Sequence, residues 1–124
     1  MTVLLTNEKL KQDHISLIFK ALASSSRRQI LALLRDGEEC VCHMEAHTGY
    51  RQAYISQQLK VLRDVGLITD QRDGWNIFYR VVDPEIFTIL DDITRLTGQP
   101  FEPVRKSKTV CSCPKCNKEL SNLS

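Results

Sequence analysis

The sequence predicts a mainly α fold with one β-hairpin, a winged helix-turn-helix that is dimeric through its first and last helices. Three observations lead there. Two helical segments meet at the turn residue Gly49, and the second, over about 51–65, repeats apolar residues at Ile55, Leu59, Leu62 and Val65. Directly after it, residues 67–72 and 77–82 suit strands, and Asp73-Gly74 between them is a hairpin signal. The first and last helical segments carry apolar stripes wider than a small core requires.

Each element has its own local reason. A first helix over 6–22 has Thr6 as a candidate N-cap and apolar positions Leu10, Ile15, Leu17, Ile18, Ala21 and Leu22, with a neutral His14 joining the stripe. The run 23–26 breaks it, and Ser24 or Ser25 caps a second helix over 26–35. That helix buries Ile30, Leu31, Leu33 and Leu34 and stops at Asp36-Gly37. A short third helix starts near Cys40 and ends at Thr48-Gly49. Beyond the hairpin, Asp83-Pro84 opens a last helix over 84–96, with proline at its tolerated first position. Its apolar residues are Ile86, Phe87, Ile89, Leu90, Ile93 and Leu96. The domain division is therefore 1–97 for the winged helix-turn-helix and dimerisation domain. Residues 98–124 form a tail without a core of its own, marked by Cys111, Cys113 and Cys116.

Composition narrows the function classes. Seventeen basic against fifteen acidic residues leave a net charge of +2, so a nucleic-acid reading must rest on where the basic residues lie. No apolar run approaches the roughly 20 residues needed to span a bilayer. The opening 1–13 lacks the pattern of a signal peptide, and a cytoplasmic protein is the expectation. Five cysteines, an odd number, suit a disulfide framework poorly and thiol–metal or redox chemistry well. No acid/base pair in a pocket-forming context and no phosphate-cradling glycine loop is visible, so no enzyme is expected.

The polar face of the second helix-turn-helix segment carries Arg51, Gln52, Tyr54, Ser56, Gln57, Lys60 and Arg63. These side-chain types contact base edges and phosphates. The first five fall at the helix start, where base contacts concentrate, whereas Lys60 and Arg63 suit phosphates. Arg72 lies on the hairpin near its tip, within reach of the backbone or minor groove. The partner implied is double-stranded operator DNA.

Upstream sit Cys40 and Cys42. In a regular helix, residues two apart point roughly 200° apart. The pair chelates one ion only if it straddles the helix start, which Glu38-Glu39 is consistent with. Amides at a helix N-terminus also favour thiolate over thiol. In the tail, Cys113 and Cys116 have the two-residue spacing of many zinc and iron–sulfur turns, and Cys111 adds a third thiol. Fifteen residues from Leu96 to Cys111 span up to roughly 50 Å, so the tail reaches Cys40 and Cys42 of its own or a partner protomer. Sulfur donors select zinc, cadmium, lead, arsenite or copper(I), and arsenite is satisfied by three thiolates. His43 and His47, four residues apart, are a further donor pair, although histidines flanking a turn are commonly just surface residues.

Over about 17–96, two-thirds of the chain, the sequence resembles the ArsR/SmtB family of bacterial metal-sensing repressors. The likeness rests on FKALASSSRRQILALL, ECVCHME, ISQQLKVLRDVGLI and DGWNIFYRV. The family motif ELCVCDL, whose cysteines bind metal or metalloid, appears here with Glu39 for leucine and His43 for aspartate. Gln58 stands where a histidine is common. The resemblance implies a homodimer that holds its operator when metal-free and releases it when loaded. Many members place an Asp/His zinc site across the last helix. Here that helix offers Asp91 and Asp92 but no histidine, a poor set for zinc. Two competing readings keep the winged helix: cysteines forming a redox or iron–sulfur switch, and a protein-interaction module with structural zinc.

Overall fold

Capping chemistry sets most of the helix boundaries. The computed structural model describes residues 13–100. Helix α1 is seen over 13–22, and the expected start at Thr6 lies outside the described residues. Ser24 is the extended N-cap of α2 (Ser25–Leu33), its Oγ accepting from the Arg27 amide. The last turn tightens into a 3-10 segment, Leu34–Asp36, and so the α-helix ends before the expected Arg35. Helix α3 (Val41–Thr48) closes on Gly49, whose φ of 77° suits a residue without Cβ. Helix α4 (Gln52–Asp64) follows after Tyr50 and Arg51.

The hairpin is β2 (Ile68–Asp73) and β3 (Asn76–Val81), with Asp73 opposite Asn76. Its loop is therefore Gly74-Trp75, one residue later than Asp73-Gly74. Positive φ occurs at Gly74 and at no non-glycine residue, the pattern of a type II′ turn. A strand absent from the sequence reading, β1 (Glu39–Cys40), pairs antiparallel with β3, Cys40 opposite Phe78. The sheet order is β1-β3-β2. Helix α5 (Glu85–Thr97) opens where the Asp83 carboxylate accepts from the Glu85 amide at 2.9 Å.

The core lies between α2, α3 and α4 and is closed by α5. Ile30, Leu31, Met44, Ile55, Leu59, Leu62 and Ile68 are its fully buried side chains. Each contributes about 1.5–3 kcal/mol by leaving water, and Leu62→Ala would cost about 2–5 kcal/mol. Ala21 and Leu22 of α1 and Ile86, Phe87 and Leu90 of α5 join them. Ile18 packs against its edge, half-buried, and the other apolar residues of the two outer helices stay outside it. Ile15, Leu17 and Phe19 on α1 and Ile89, Ile93 and Leu96 on α5 are exposed in the single chain.

Candidate nucleic-acid interface and thiol site

Helix α4 presents two unlike faces. Ile55, Leu59 and Leu62 point into the core, with Val65 at the C-cap. Arg51, Gln52, Ser56, Gln57, Lys60 and Arg63 are all exposed on the opposite side. Arg51 is the N-cap, and the first turn contains no acid, so nothing there opposes an incoming phosphate. Two of the expected phosphate contacts are already in ion pairs: Lys60 with Asp64 at 3.0 Å and Arg63 with Asp70 at 3.7 Å. The second ties α4 to the base of the hairpin, which Leu67 N donating to Leu62 O reinforces. Arg72 is exposed on β2.

Tyr54 has a second occupation. Its hydroxyl shares a 2.8 Å hydrogen bond with Ser26 of α2, and its ring lies 5.1 Å from that of Tyr50. Gln58, absent from the expected contacts, is turned inward at 9% exposure and accepts from Arg27 Nη1 at 2.8 Å. A signal for it existed, since position 58 falls inside the apolar stripe, one residue before Leu59.

The two cysteine sulfurs meet because they straddle a helix start, Cys40 as a free thiol and Cys42 as a disulfide sulfur. Cys40 is the N-cap of α3, extended at φ −93° and ψ 163°, while Cys42 is the second residue of the helix. Their sulfurs are 2.7 Å apart, and Cys40 Sγ also accepts from the His43 amide at 3.3 Å. Cys40 is 3% exposed and packs on Phe78. Beside them, Nε2 of His43 lies 3.3 Å from a Glu39 carboxylate oxygen, and the rings of His43 and His47 are 4.2 Å apart. Among the described residues, no three His, Cys, Asp or Glu side chains are arranged to hold one ion. Two thiolates on a tetrahedral zinc sit about 3.8 Å apart, from a Zn–S length of about 2.3 Å, so with Cys42 reduced this pair suits an ion after opening by about 1 Å. Cys111, Cys113 and Cys116 lie outside the described residues.

On the last helix both carboxylates face arginines. Asp91 receives two hydrogen bonds from Arg35, at 2.8 and 3.1 Å, and Asp92 pairs with Arg95. The Arg35 hydrogen bonds hold the Asp91 carboxyl below its usual range, with the nearby charges of Arg35 and Arg95 adding to the effect.

Residues 24–70, from the N-cap of α2 into β2, match the model of the bacterial regulatory protein arsR family. The arsenical resistance operon repressor of Staphylococcus aureus is 35% identical over 104 residues, covering 84% of this chain and 92% of that protein. The chain belongs to the arsR family. The biofilm growth-associated repressor of Agrobacterium fabrum is 31% identical over 92 residues, 74% of this chain and 79% of that protein. Among solved structures, the homodimeric winged helix-turn-helix DNA-binding domain of a possible ArsR-family regulator from Mycobacterium bovis superposes with a TM-score of 0.65. It shares 27% identity and covers 77% of this chain and 93% of its own.

Membership of the arsR family makes the chain a DNA-binding transcription regulator of winged helix-turn-helix architecture. Its relatives are regulators rather than enzymes. The matched segment contains both the thiol pair and α4. Among the described residues, no helix is long and apolar enough to cross a membrane.

Proposed function

We propose that this arsR-family protein is a homodimeric repressor that grips operator DNA through α4 and the hairpin wing and lets go when a thiophilic ion binds its cysteines. Cys40 and Cys42 are the first two ligands, and Cys113 and Cys116, with Cys111 in reserve, complete the set. The ion class is arsenite, cadmium, lead or zinc. Arg51, Gln52, Tyr54, Ser56 and Gln57 read bases, while Lys60, Arg63 and Arg72 meet the backbone.

The observation that carries the reading is the 2.7 Å approach of two sulfurs at the start of the helix preceding the reader. Cys40 does three jobs at once: thiol, N-cap of α3 and ladder partner of Phe78 in the wing. Spreading the sulfurs around an ion displaces that residue. The displacement is felt at the α3 N-terminus, hence at the turn into α4, and in β3 of the wing. Both DNA-contacting elements are rooted at the site that moves, so a small local opening has a direct path to lowered operator affinity. The homodimer assignment draws on the exposed apolar faces of α1 and α5 and on the homodimeric relative.

The deciding experiment is a titration of DNA binding with zinc, cadmium, lead(II) and arsenite, on wild type and on the Cys40→Ser/Cys42→Ser variant. Release of wild type by at least one ion, with the variant still bound, is expected. A variant released like wild type removes these thiols from sensing.

A second reading follows from the same distance. Cys42 is disulfide-bonded and the Cys40 thiol stands 2.7 Å from its sulfur, an arrangement that also suits a thiol–disulfide redox switch. Release by diamide under metal-free conditions, reversed by dithiothreitol, would select it. Brown anaerobic protein would select an iron–sulfur centre instead.

A further inference from the structure

Trp75 is the only tryptophan in the chain and is 101% exposed. Nothing in the fold accounts for it. A type II′ turn needs glycine at its first loop position, which Gly74 fills, and makes no demand for an indole at the second. A fully exposed aromatic ring adds no burial to the core, and its exposure favours self-association.

Its position supplies the reason. The wing is fixed at its base to α4 by the Arg63–Asp70 pair and the Leu67–Leu62 backbone bond. Its strands are six residues long, so the tip stands roughly 17–20 Å from that base. Half a turn of B-DNA is about 17 Å, the step from one groove to the next. With α4 in a major groove, the wing tip arrives at the flanking minor groove. The charge of the wing then decides the kind of contact. At the tip Arg72 and Asp73 offset one another, and Asp70 is taken by Arg63, so residues 72–76 bring no net charge to phosphates. The minor groove offers few distinguishing hydrogen-bond groups but wide apolar sugar walls and base steps that a flat wedge can enter.

We infer that Trp75 is a DNA contact, its indole packing into the minor groove beside the α4 site and adding affinity that does not depend on salt. This rests on the DNA-binding reading of α4 and refines it: the indole at the wing tip holds by shape and apolar contact, while α4 and Arg72 supply the electrostatic grip.

The test uses the full chain and the tightest duplex selected from a random-sequence pool, with binding followed by anisotropy over a salt series. Trp75→Ala is expected to weaken binding roughly tenfold with the slope of log K against log salt unchanged, and Trp75→Phe to retain most of the affinity. The emission of wild-type protein, which reports this one indole, is expected to be quenched on saturation with duplex. Unchanged affinity in Trp75→Ala, unchanged emission, or a loss of affinity with a shallower slope would each overturn the inference. An emission change on dilution without DNA would overturn it too, by assigning the indole to a protein contact. Failure to select any duplex with wild type would instead remove the DNA-binding reading beneath it.

Discussion

Arg27 Nη1 donates to the Oε1 of Gln58 across 2.8 Å, joining α2 to the inward face of α4. The same guanidinium donates to the carbonyls of Ala21 at 2.7 Å and Lys20 at 3.1 Å, the last turn of α1. His14, in the first described turn of α1, hydrogen-bonds the carbonyl of Val65, the C-cap of α4. Helix α1, whose outer face is apolar and exposed, therefore braces α4 at two points.

Removing the Arg27 side of this link strands a largely buried amide oxygen. Arg27→Ala is expected to lower stability by about 1–3 kcal/mol in urea unfolding. Gln58→Leu should be milder, because Arg27 keeps its two carbonyl acceptors. The double variant should be less destabilised than the two singles added together, with coupling of about 0.5–3 kcal/mol. Strict additivity would mean that the pair does not brace the helix.

Cys40 separates structure from sensing through the choice of replacement. Serine keeps an acceptor for the His43 amide, so Cys40→Ser should unfold within about 1 kcal/mol of wild type and still bind DNA while losing ion-driven release. Cys40→Ala removes the cap and should cost about 1 kcal/mol more than serine. Equal stability of the two variants in urea would show that the sulfur cap is energetically idle.

These contacts mark where sequence reading ran out. The apolar steps at Ile55, Leu59, Leu62 and Val65 identify α4 because a 3.6-residue period leaves little choice, and Gly49 and Asp83 announce their boundaries by turn and cap chemistry. Strand β1 has only two residues and no alternation to detect; it exists because β3 offers it an edge. The thiol pair was legible as a spacing, but its closure depended on Cys40 being extended, a backbone state that two preceding glutamates only hint at. Long-range contacts such as Arg27–Gln58 leave no periodic trace in the chain.

The tail and the seam are separable by deletion. Removing residues 108–124 takes away Cys111, Cys113 and Cys116 and should lower ion affinity while the protein remains dimeric by sedimentation. Ile93→Glu places a charge on the exposed apolar face of α5 and should dissociate the dimer. A truncated protein that sediments as a monomer would move the seam away from α1 and α5.

The Arg35–Asp91 pair gives the protein a signature in acid. Arg35 spans from the end of α2 to α5, with its guanidinium 4.8 Å over the Phe87 ring, and its hydrogen bonds lower the Asp91 pKa from 3.8. A carboxyl whose folded pKa is depressed binds protons more weakly in the native state than in the unfolded one. Its contribution is therefore complete above the unfolded value and disappears as pH falls through the folded value. Asp91→Asn should consequently show a flatter fall of stability with pH below about 4 than wild type, because one native carboxylate no longer resists protonation there. At neutral pH the exposed position of the pair keeps its worth small, so the two proteins should differ little. Urea midpoints measured from pH 3 to 7 for both proteins check the sign: parallel curves across that range would show that Arg35 does not hold Asp91 in solution.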